Sequence, residues 1–118
     1  MKKEAPLGSF EQLVLGSVLM LGERAYGMAI HEKVTQLGDR PIRLGAIYMT
    51  LDRLVDKGYL SSWLTDPTPE RGGRSKRCYK LLAAGERALK DASATAGRLH
   101  EGVEQSRGFL KWEPKRAK

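Results

Sequence analysis

Arg71, Arg74, Lys76, Arg77 and Lys80 stand within ten residues of one another, opposed nearby only by Asp66 and Glu70. Cations packed this closely suit a polyanion, because each can neutralise one phosphate, and arginine also suits a narrow minor groove of negative potential. Gly72 and Gly73 sit inside the run and leave its backbone adaptable, with N–H groups that no side chain obstructs. A solvated charge run is the competing reading. A second candidate surface lies just upstream. Placed at roughly 100° per residue on a helix, Ile47, Leu51 and Leu54 share one face, while Gly45, Ala46, Met49, Asp52 and Arg53 share the other. An outer face that opens with glycine and alanine is bare, and a bare helix N-terminus can sink into a major groove and reach base edges. Arg43 adds a cation just ahead of it. Tyr48 is expected at its flank, with a hydroxyl able to donate to a phosphate. The competing reading here is a plain amphipathic helix whose glycine relieves crowding.

Other chemistries find little support. The soft ligands are His31, His100 and Cys78, too scattered for any zinc pattern, so no metal and no cofactor is expected. A single cysteine excludes an internal disulfide and fits a reducing compartment. Glu86, Asp91, Glu101 and Glu104 read as helix-surface carboxylates without a paired acid and base. No phosphate-cradling loop or nucleophile motif occurs, so the chain is not expected to be an enzyme. No apolar run reaches the roughly 18–20 residues of a membrane span, and Gly8, Glu11 and Gln12 interrupt the only stretch that could serve as a leader. The expected location is the cytoplasm, with no membrane partner. With 118 residues and a net charge of +7, one domain and a polyanionic partner fit best.

The elements that position these residues follow from periodicity. Ser9 and Gln12 have the spacing of a capping box, and Phe10, Leu13, Val14, Val18 and Leu21 continue as a first helix ending near Gly22. Tyr26, Ile30, Val34 and Leu37 mark a second helix, with Gly38 placed to close it. A third runs from about Leu44 to Lys57, and Gly58 ends it. The period then changes. Tyr59 to Leu64 and Ser75 to Leu81 read as two strands around a loop containing Pro67, Pro69 and the glycine pair. Trp63 is expected to pack in the core or at a hinge, and Cys78 to face opposite Tyr79; His31 and His100 are expected at the surface. Helix, helix, helix, hairpin is the order of a winged helix domain.

The last third is helical again. Leu89, Ala92, Ala96, Leu99, Val103 and Leu110 fall on a near-heptad repeat, a seam for which a single small chain offers no partner. Gly85, Gly97, Gly102 and Gly108 each weaken that helix by up to about 1 kcal/mol relative to alanine. The fold class is therefore α+β, mainly helical: a winged helix-turn-helix domain over 7–82, a C-terminal dimerisation helix over 83–112, and a basic tail over 113–118.

Several of these stretches resemble the PadR family. They are the run from Leu44 to Leu54, Lys57-Gly58, Glu70-Arg71-Gly72-Gly73-Arg74 and Tyr79-Lys80-Leu81, with Ala25-Tyr26-Gly27 and Leu7-Gly8-Ser9-Phe10-Glu11 ahead of them. The resemblance runs from about Leu7 to Leu89. It implies a repressor that dimerises through its C-terminal helix, binds a double-stranded dyad operator, and is similar to the small subfamily with one such helix. Three positions depart from the family pattern. Leu82 replaces a capping threonine, Arg43 a serine, and Met49 a threonine on the reading face. The resemblance further implies a planar apolar or cationic effector held where protomers meet, for which Phe10, Leu99 and Val103 are the candidate lining. The alternatives are a winged helix that binds RNA or DNA without sequence preference, and a protein-interaction module.

Overall fold

The computed structural model describes residues 7–65 and 75–110, the side chains of 108–110 excepted. Four helices and one hairpin follow in order: α1 Ser9–Leu21, a 3-10 turn Gly22–Arg24, α2 Gly27–Gly38, α3 Leu44–Asp56, β1 Leu60–Leu64, β2 Arg77–Leu81 and α4 Ala83–Leu110. The mainly helical winged helix expected from the periodicity is present, with its C-terminal helix.

Helix α1 starts one residue earlier in its cap than the Ser9–Gln12 spacing suggested. Gly8 is the N-cap, and its N–H donates to Glu11 Oε1 at 3.1 Å. Gln12 instead donates its side-chain amide to the Leu7 carbonyl at 3.1 Å. The choice between the two registers is tertiary: Lys57, just past the end of α3, reaches Glu11 Oε2 at 2.9 Å. Gly22, at φ +58, ends α1 in a conformation open to glycine at little cost. Helix α2 runs through Gly38, and the left-handed residue after it is Asp39 at φ 53, not the glycine. Aspartate is among the few non-glycine residues that visit this region readily.

The core is made where the three helices meet the hairpin. Val14 and Leu15 of α1, Ile30 and Val34 of α2, and Ile47, Leu51 and Leu54 of α3 are fully buried, joined by Leu60 and Tyr79. The strands pair antiparallel, with Leu60 opposite Leu81 and Leu64 opposite Arg77. Trp63 does not pack inside; it is 46 % exposed on the solvent face of β1. Cys78 and Tyr79, consecutive on β2 and so on opposite faces of the strand, are both buried. Backbone also pairs along the outer edge of β2. Tyr79 N–H donates to the Ala25 carbonyl at 2.8 Å, and Tyr26 bridges to Cys78, so a segment crosses the free edge of β2 and covers it. His31 is half-buried, its Nε2 2.6 Å from the Ile42 carbonyl.

Helix α4 begins without a side-chain cap: Glu86 N–H donates to the Leu82 carbonyl at 2.9 Å, and Leu82 N–H to the Tyr59 carbonyl at 2.9 Å. Ala84, Ala88, Leu89 and Ala92 are partly buried against the domain's own core. Leu89 and Ala92 of the expected seam thus rest on their own protomer, because α4 lies along α1 over its first turns. From Ser93 to Gly102 the helix is exposed on every side. Among the described residues no helix is long and apolar enough to cross a membrane.

Candidate nucleic-acid interface

Helix α3 turns its two faces to different environments. Ile47, Leu51 and Leu54 are at 0 % exposure, whereas Met49 is 68 % exposed and Gly45, Ala46, Asp52 and Arg53 lie on the outer surface. The buried side fixes the orientation of the helix, so the outer side is presented rigidly. Thr50 is buried with the apolar set, which the alternation of residue types did not signal. A Cβ added at Gly45 would meet nothing within 4 Å. Crowding inside the domain therefore does not call for glycine there. Arg43 is the N-cap of α3, extended at φ −70 and ψ 137, without a side-chain cap bond. Its carbonyl accepts the Ala46 N–H at 3.1 Å, while the N–H groups of the preceding first-turn residues point out of the helix end. A helix N-terminus of this kind carries partial positive charge and suits a phosphate. Arg40, exposed in the turn between α2 and α3, is a further cation ahead of the helix.

The base of the hairpin is fixed by backbone. Thr65 N–H donates to the Lys76 carbonyl at 2.8 Å, and Lys76 N–H returns a bond to Thr65 Oγ1 at 2.9 Å. Lys76 carries its ammonium 3.9 Å from the centroid of the Tyr26 ring. Arg77 is exposed, with Nη1 3.2 Å from Ser62 Oγ. Arg71, Gly72, Gly73 and Arg74 lie outside the described residues.

Tyr48 stands at the flank of α3, between the buried Ile47 and the exposed Met49, as expected, but it turns inward. It is half-buried, and its ring and hydroxyl lie directly over Gly27 at the start of α2. Behind it, Tyr79 is almost fully buried; burial pushes its phenol above the ordinary value, and its hydroxyl has no hydrogen-bond partner among the described residues. Of the candidate effector lining, Phe10 is half-buried against the core, Leu99 is 68 % exposed and Val103 is half-buried on α4. An open groove of about 480 Å³ lies elsewhere, between the 3-10 turn and α2, lined by Leu21, Arg24, Tyr26, Ala29 and Lys33 among others. No cluster of His, Cys, Asp and Glu among the described residues could hold a metal ion.

The family model of the transcriptional regulator PadR-like family matches residues 17–91. The chain belongs to the PadR family. Solved structures agree with that placement. A PadR family transcriptional regulator from Eggerthella lenta is 28 % identical, with 80 % of each chain covered and a TM-score of 0.64. A PadR-like regulator from Bacillus cereus shares the fold at 20 % identity, with 87 % of this chain and 92 % of that one covered and a TM-score of 0.68. No curated protein matches the chain. PadR members are transcriptional regulators, so this chain is a DNA-binding regulator and not an enzyme.

Proposed function

We propose that the protein is a cytoplasmic repressor that binds a dyad operator as a homodimer. The observation that carries this reading is the outer face of α3, where the open space at Gly45 stands in front of a fully buried apolar face. Such a helix enters a major groove without steric cost to the fold. Arg43, Gly45, Ala46, Met49 and Arg53 would then lie closest to base edges and the adjoining phosphates. Lys76, Arg77, Arg71 and Arg74, with Gly72 and Gly73 between them, would contact phosphates or the neighbouring minor groove. Residues 7–82 act as the reading unit and 83–112 as the arm that joins two copies, followed by the basic tail 113–118. In the arm Ala96, Leu99, Val103 and Leu110 meet their counterparts, while Leu89 and Ala92 connect the arm to the domain. A two-fold pair sets the reading helices about 34–36 Å apart, one turn of duplex, or a multiple of it. Occupying such a site blocks a promoter that overlaps it. A planar aromatic effector bound between the protomers, beside Phe10, Leu99 and Val103, releases the operator if it favours the other spacing by about 1–3 kcal/mol.

Selection from a random duplex library tests the reading. The wild-type protein should enrich inverted repeats with half-sites one turn apart. Gly45→Glu should abolish the enrichment while leaving the thermal midpoint nearly unchanged, since nothing in the fold occupies that space. Enrichment of single half-sites would overturn the dimer, and a Gly45→Glu protein that selects the same sequences would put another surface on the DNA.

A further inference from the structure

Ala25, Tyr26 and Gly27 connect the two parts of the candidate surface, the wing and α3. Ala25 accepts the Tyr79 N–H at 2.8 Å, which pins the segment to β2 by backbone. Tyr26 bridges to Cys78 and carries the Lys76 ammonium 3.9 Å from its ring centroid, so the base of the wing is fastened again by a side chain. Gly27 opens α2 and is buried beneath Tyr48 of α3. A Cβ there would come within 2.6 Å of Tyr48 Cζ and 2.8 Å of Cε1, and closer still to the hydroxyl. Two helices in contact normally keep a side chain's thickness between them. Here the ring of one fills the space that the other's missing side chain leaves.

We propose that Tyr48 is a positioning residue for sequence reading and not a phosphate ligand: its ring, seated on Gly27, sets how far α3 stands out from α2 and from the wing fastened to the same tripeptide. The geometry argues against a phosphate role because the hydroxyl is turned over the α2 backbone on a half-buried side chain. It argues for positioning because the contact joins the reading helix to its neighbour at one point where neither chain has slack. A shift of α3 there would move Gly45, Ala46 and Met49 together relative to Arg77 and Lys76. Base-edge contacts depend on such a shift far more than phosphate contacts do, since phosphates recur along the duplex and base patterns do not.

This inference rests on the proposed function, and its test separates the two. The probes are a duplex carrying the inverted repeat enriched by selection and a random-sequence duplex of the same length, and the readout is the ratio of their affinities. Tyr48→Phe keeps the ring on Gly27 and should keep both the ratio and the slope of affinity against salt. Gly27→Ala forces the ring and the helix apart and should lower the ratio at least tenfold, roughly what one lost base contact costs, with random-duplex affinity changed about threefold or less. Tyr48→Leu removes the ring without overlap and should also lower the ratio, which keeps the test open where Gly27→Ala fails to fold. Tyr48→Phe weakening both duplexes equally, with a slope shallower by roughly 0.9 per contact, would show a hydroxyl on a phosphate and overturn the inference. Wild-type discrimination in folded Gly27→Ala or in Tyr48→Leu would overturn it alone. A wild-type protein with no preference between the duplexes overturns the parent reading together with this one.

Discussion

Adding a methyl group at Gly85 should destabilise the protein, against the usual rule that alanine improves a helix by about 1 kcal/mol over glycine. The new Cβ would lie 2.9 Å from Leu81 Cδ1, 3.1 Å from the Tyr59 carbonyl carbon and closer still to that carbonyl's oxygen. Leu81 can rotate away. The carbonyl cannot, because it accepts the Leu82 N–H at 2.9 Å and belongs to a tyrosine only 7 % exposed. Either α4 lifts from the domain, uncovering part of Leu89 and Ala92, or that hydrogen bond is given up. Overpacking a tight site costs about 1–3 kcal/mol and a lost hydrogen bond about 1 kcal/mol more. Set against the gain in helix propensity, the net loss is about 1–3 kcal/mol, and Tm should fall on the order of 5–10 °C. Gly97→Ala is the matched control, because its Cβ would meet nothing within 4 Å and should bring the ordinary gain. Thermal unfolding followed by circular dichroism, at one protein concentration for all three proteins, reads both effects. If Gly85→Ala raises Tm as Gly97→Ala does, α4 does not seat on Tyr59 as described.

Two further outcomes follow from the arm and from the ion pair. Leu99 is 68 % exposed in the single chain, so Leu99→Glu should cost little folding stability yet give monomers by light scattering and lose operator binding with the dimer; a variant that stays dimeric would move the interface elsewhere. Burial raises the Glu11 pKa, but the Lys57 hydrogen bond, the Gly8 N–H and the nearby cations together outweigh it and hold the carboxyl below the ordinary glutamate value. The pair therefore stabilises the fold above about pH 4.5 and loses its effect as the pH falls through the lower folded value. Wild type should exceed Glu11→Gln in stability, by up to about 1 kcal/mol at neutral pH, and the gap should close in acid. A gap independent of pH would show that the charge of Glu11 contributes nothing.

What the sequence made legible was mostly local. The α3 register could be read because Ile47, Leu51 and Leu54 recur at helical spacing and Gly58 stops them, and the bare outer face followed from the same wheel. The two strands of the hairpin were legible from the change of period; their register was not. What escaped depended on residues far apart in the chain. Glu11, and not Gln12, occupies the cap, and Lys57 holds its other oxygen from 46 positions away. Cys78 is covered by Tyr26, and Tyr48 is seated on Gly27, through pairings that periodicity does not encode. The seam was read as one continuous stripe because leucine and alanine look alike whether they face their own domain or a second chain. Leu89 and Ala92 face their own domain; Leu99 does not. Gly85 was read as a weak point of the helix, although a close approach to backbone makes glycine necessary there.

The empty space in front of Gly45 bears on how such a protein changes targets over time. Positions 45, 46, 49 and 53 are exposed, while 47, 51 and 54 carry the attachment of the same helix to the core. On the proposed reading, substitutions at the first set would alter what the helix recognises and leave its anchorage intact. Inheritance of the fold and divergence of the target are thereby separated along a single helix, residue by residue. On that reading, duplicated copies of the gene would drift to new operators through changes confined to the exposed set, while the buried set keeps the helix in place. The same separation makes those four positions a natural library for retargeting the protein by selection.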